Sequence, residues 1–121
     1  MNRPIFNYSA HKALWLWLSE NPASTKSAWP GWDEYSSIPR MHCFACQYVT
    51  ECRWYYRPTL YTPKLKCTLC PLDWGTYPKC SNDYNDAGLH VQYLRASAVE
   101  LRSRCARQIA ELPVKQGVLY V

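Results

Sequence analysis

Residues Cys43 to Gly75 read CFACQYVTECRWYYRPTLYTPKLKCTLCPLDWG and hold one device twice: Cys43-x2-Cys46 and Cys67-x2-Cys70, with twenty residues between the pairs. In the four-cysteine zinc spacing each close pair forms a knuckle, and the chain between them returns across the metal. Zinc suits four thiolates because it is tetrahedral, redox-inert and soft enough for sulfur. Four protein ligands leave no position for water, so the zinc expected at Cys43, Cys46, Cys67 and Cys70 is structural. Between the pairs, QYVTECRWYYRPTLYT is rich in β-branched and aromatic residues and is punctuated by Pro58 and Pro63, which reads as one or two strands. The expected fold class is therefore α+β: a small zinc-ribbon-like β unit flanked by an N-terminal apolar helix and a long C-terminal amphipathic helix.

Other uses of the cysteines fit less well. A thioredoxin-like oxidoreductase needs its Cys-x-x-Cys on a strand-to-helix turn of a parallel sheet, and no such alternation is visible. Seven cysteines, an odd number, do not close a disulfide set. The one apolar run near the N-terminus, Ala13 to Leu18, is shorter than that of a secretory signal and far shorter than a membrane span. That points to the cytosol, where thiols stay reduced and paired cysteines bind metal. An iron–sulfur cluster would accept the same four thiolates, and spacing does not separate it from zinc. Cys80 is the substitute for the fourth ligand, Cys105 falls on an apolar helix face as a small hydrophobe, and Cys52 has no assigned role.

A chain of 121 residues is one ordinary domain, and 48% hydrophobic against 19% charged residues excludes disorder. Four segments follow along it. Residues 1–22 carry a helix from about Ala10 to Glu20, capped by Ser9 or Asn7, stopped by Asn21-Pro22 and apolar on nearly every side from Leu14 to Leu18. Residues 23–42 are rich in Trp and Pro, with WPGW at Trp29 to Trp32 as an ordered turn lying over the core. Residues 43–80 form the zinc unit. Residues 88–113 carry the amphipathic helix, its stripe running Val91, Leu94, Ala98, Leu101, Cys105, Ile109, Leu112 up to Pro113.

Six Trp, ten Tyr and a net charge of +5 mark the surface for partners, with a mild bias toward anions. Arg53 and Arg57 flank Trp54, Tyr55 and Tyr56, a mixture that stacks on bases or seats in a protein interface. Trp29, Trp32, Arg95 and Arg102 complete the candidate binding residues. The enzyme reading finds little: three histidines, at 11, 42 and 90, and scattered carboxylates with no close acidic pair. The NDYNDAGLH stretch from Asn82 to His90 reads as a loop rather than a nuclease site. The chain is expected to be non-enzymatic, a monomer or a homodimer through its last helix, with no membrane association.

Taken in order, LWLWLSENP, WPGW, CFACQY, CPLDWG and ARQIAELPV resemble a family of small proteins encoded by tailed bacteriophages and prophages. The resemblance covers most of the chain and implies a phage-derived, zinc-binding accessory protein of the host cytoplasm. It supplies no activity. Two non-enzymatic functions are compatible with it: a counter-defence factor that binds a host defence protein or its anionic nucleotide signal, and a zinc module that binds nucleic acid in phage transcription or replication.

Overall fold

A computed structural model of the chain describes residues 3–60, 68–74 and 89–121. Four helices organise them: α1 (Tyr8–Glu20), α2 (Phe44–Tyr56), α3 (Leu89–Arg95) and α4 (Val99–Ala110). Three short 3-10 turns, Lys26–Ala28, Pro30–Glu34 and Arg40–His42, fill the connection between α1 and α2.

The expected α+β fold is overturned. Among the described residues there is no sheet, only two isolated bridges, Phe6 with Tyr120 and Leu72 with Val114. The stretch read as strands supplies helix α2, and the reason lies in its burial. Phe44, Ala45, Tyr48, Val49 and Cys52 are buried, a spacing of one and four residues that belongs to a helix, while Thr50, Glu51, Arg53 and Trp54 are exposed. β-branched and aromatic residues are only weak formers of strands, and a helical stripe that packs overrides them. Residues 61–67 and 75–80 of the expected zinc unit lie outside the described residues.

Helix α1 begins where its capping signal says. The Asn7 side chain accepts from the Ala10 N–H at 3.1 Å, and Asn21 closes the other end by donating from Nδ2 to the Trp17 carbonyl at 2.9 Å. His11, Leu14, Trp15 and Leu18 are buried along one stripe, whereas Leu16 is 36% exposed, so the wrapping expected on nearly every side is incomplete.

Three hydrogen bonds set α1 antiparallel to α4. Near the start of α1, Tyr8 Oη donates to the Leu112 carbonyl at 2.7 Å and His11 Nε2 to that of Ile109 at 3.1 Å; near its end, the Ser19 carbonyl accepts from Ser103 Oγ at 2.6 Å. The single C-terminal helix expected from Val91 to Leu112 is two helices, broken at residues 96–98, where Ala98 is extended. Leu94 and Leu101, the stripe residues on either side, are 60% and 37% exposed, so no continuous buried face holds the helix straight. Tyr93 enters the core instead, while Cys105 is buried as the small hydrophobe expected of it.

After α4 the chain doubles back as a clamp. The Asp73 N–H donates to the Pro113 carbonyl and the Lys115 N–H to that of Pro71, at 2.9 and 2.8 Å, with Leu72 buried between them. Further on, Phe6 exchanges hydrogen bonds with Leu119 and Val121 at 2.9 and 3.0 Å. The Pro71–Asp73 stretch, which carries Cys70 at its edge, is thereby fixed to the helical core.

Candidate metal centre and the cavity beside it

Cys43 is the N-cap of α2: its Sγ accepts from the Cys46 N–H at 3.2 Å. The Cys-x-x-Cys pair is thus the first turn of a helix, where unpaired amides and the helix dipole favour a thiolate. The Cys46 thiol, donating to Cys43, lowers that thiol to about 7, helped by the Cys46 and Ala45 amides and by the Lys26 charge, and opposed by burial. Just upstream, Met41 and His42 both take left-handed backbone, with φ of 60° and 53°. Such angles are uncommon for residues with side chains and cost free energy that the surrounding structure must offset.

Cys70 belongs to the same corner. Burial raises its thiol, the Trp74 Nε1–H donates to its Sγ at 3.5 Å, and the negative charge on Cys43 raises it further. Cys43 thus interacts with Cys46 and, through its charge, with Cys70; Cys67, and the substitute Cys80, lie outside the described residues. Among the described residues no three His, Cys, Asp or Glu side chains gather into a metal-holding group. Cys43, Cys52, Cys70 and Cys105 form no disulfide among the described residues. Cys52 is buried in the core, 1% exposed.

Beside this corner opens a cavity of about 360 Å³. Its walls bring together all three histidines, His11, His42 and His90, with Lys26, Cys43 and Cys46, while Trp15, Trp74 and Leu72 supply apolar surface. Burial lowers His11 to about 4 against the pull of the Ile109 carbonyl; burial and the Lys26 charge lower His90 to about 4. Both are neutral at pH 7. No spacing in the sequence relates positions 11, 42 and 90, and only the fold reveals their convergence.

The candidate binding residues do not share one surface. Trp32 is a core residue, 5% exposed, donating from Nε1 to the Lys26 carbonyl at 2.7 Å and stacked on Phe44; it is not available to a partner. Trp29 is half-buried and meets Trp32 edge-on at 5.0 Å, and Gly31 allows this, since a Cβ there would lie 2.2 Å from the Trp29 ring. The ordered WPGW turn is thus present as packed 3-10 structure. Trp54 and Tyr55 are 63% and 38% exposed at the end of α2, with Arg53 and Arg57 also at the surface. Tyr56 is exposed beside them, and so is Leu60, which the sequence reading did not single out. Arg95 is exposed on α3. Arg102 is half-buried, with its guanidinium 4.8 Å from the Tyr93 ring centre and its Nε buried without a hydrogen-bond partner.

Comparison with protein-family models, with curated proteins and with solved structures gave no match to this chain. Among the described residues no helix is long and apolar enough to cross a membrane.

Proposed function

We propose that the chain is a phage-derived, non-enzymatic binding protein of the host cytoplasm, stapled by one structural zinc, which acts as a counter-defence factor. Its target is a host defence protein or the anionic nucleotide such a protein signals with. The observation that carries this reading is the pairing of two features on α2. The helix starts at the Cys43–Cys46 turn and ends in exposed Trp54, Tyr55 and Tyr56. Large aromatic side chains left in water at the end of an anchored helix have the chemistry of interface anchors, which lose little conformational entropy on binding.

Zinc in this scheme is held by Cys43, Cys46, Cys67 and Cys70. The donor set fits it: soft sulfurs, one already inclined to the thiolate, at a helix N-terminus beside a third thiol. The metal would supply folding free energy and leave no open position for chemistry.

The test is a plating assay on bacterial strains that each carry one defence system. Expression of the protein is expected to raise the plating efficiency of a blocked phage at least a hundredfold on one strain, and Cys67→Ser to abolish the gain. No gain on any strain, with the protein folded and abundant, contradicts the reading. Arg53 and Arg57 beside the exposed aromatics favour nucleic acid as the second reading. Binding that weakens steeply with salt would select it, since phosphate contacts release counterions and aromatic protein interfaces do not.

A further inference from the structure

The cavity between α1, α3 and the start of α2 has walls unlike those of a packing defect. Trp15 and Trp74 give it flat aromatic surface, Leu72 and Ile109 close it with apolar groups, and His90 stands in its wall. His90 is held in place: it lies edge-on to Trp15 at 5.9 Å and parallel to Tyr93 at 6.5 Å. Its ring nitrogens have no hydrogen-bond partner among the described residues, and they are not sealed from solvent. A neutral imidazole offers one donor and one acceptor, the pattern presented by the edge of a heterocycle.

Charge narrows the ligand further. Among the described residues no carboxylate lines the cavity, so a cationic ligand has nothing to pair with and meets Lys26. Among the described lining residues Lys26 is the one cationic group an anion would meet, and the rest of the wall is largely aromatic and apolar. A volume of about 360 Å³ is at the small end of ligand pockets and suits one ring system with a sugar-sized appendage rather than a dinucleotide.

We infer that this cavity is a binding site for an uncharged planar heterocycle, seated against Trp15 and Trp74 and hydrogen-bonded on its edge by His90. The ring comes either from a free nucleoside or from the base end of a mononucleotide whose phosphate stays at the mouth near Lys26. This rests on the small-ligand half of the function proposed above and gives it a place.

Zinc content and helicity are first confirmed for the full chain. Adenosine, guanosine, their 5′-monophosphates and naphthalene, a flat ring without polar edges, are then titrated by calorimetry, with tryptophan fluorescence as a second readout. At least one nucleoside or nucleotide is expected to bind saturably and at least tenfold more tightly than naphthalene, and His90→Phe to remove that preference while leaving zinc content unchanged. Equal affinity of nucleoside and nucleotide identifies the free nucleoside as the ligand. A tenfold gain for the nucleotide, lost in Lys26→Met, identifies the base end of a nucleotide. Absence of saturable binding by the folded, zinc-loaded chain overturns the inference, as does binding that His90→Phe leaves unchanged. Protection in the plating assay would persist in that event if the target is a protein, so the two failures are distinguishable.

Discussion

The Cys46 N–H donates to Cys43 Sγ at 3.2 Å, so one side chain is both the cap of α2 and the first cysteine of the proposed zinc quartet. The two roles separate by substitution. Serine caps a helix well, whereas alanine loses a cap worth about 1 kcal/mol. With a chelator present, Cys43→Ser should unfold in urea within about 1 kcal/mol of the wild type and Cys43→Ala below it. With zinc present, both should fall far below the wild type, because a structural zinc contributes on the order of 10 kcal/mol. Cys43→Ser matching the zinc-loaded wild type would show that Cys43 is only a cap.

Acid should loosen the junction of α1 and α4 before it protonates most carboxylates. His11 is buried neutral and lowered from 6.5 to about 4, so the unfolded chain takes up its proton first as pH falls. The stability it contributes is complete above pH 6.5 and is lost toward pH 4, on the order of 3 kcal/mol for a shift of this size. His90, lowered to a similar value, acts with the same sign. His11→Gln should flatten the stability profile across this window; a profile as steep as the wild type's would assign the acid sensitivity elsewhere.

Two tryptophans that composition treats alike should part company. Trp32→Ala removes a stacked, 5% exposed core residue and should cost about 3–5 kcal/mol. Trp54→Ala, at 63% exposure, should change stability by less than about 0.5 kcal/mol while weakening partner binding. Chemical denaturation of both variants checks this, and a large loss for Trp54→Ala would place that residue in packing rather than recognition.

Gly31→Ala probes the turn between them. A methyl group there meets the Trp29 ring at 2.2 Å, so the indole must move and the turn should lose about 1–3 kcal/mol. A neutral outcome by thermal denaturation would mean that Trp29 swings aside freely.

Legibility followed range. The ends of α1 were local events, an Asn7 cap and an Asn21-Pro22 stop, and the sequence displays both. Helix α2 was misread because Tyr48, Val49 and Thr50 favour strands in isolation; its burial stripe decides the matter, and a stripe exists only against the core it packs on. The break before Val99 was hidden by an apolar repeat that continues through residues the fold leaves exposed. Likewise, the spacing of the cysteine pairs is visible in the sequence, while the meeting of His11, His42 and His90 has no counterpart there. Met41 and His42 in left-handed backbone gave no warning either, since no glycine marks them.

Native mass spectrometry of the protein purified without added metal shows whether Cys43, Cys46, Cys67 and Cys70 hold one zinc. One zinc per chain is expected, removed by a chelator with a loss of stability on the order of 10 kcal/mol, and absent from Cys67→Ser. A folded, compact chain carrying no metal would contradict it.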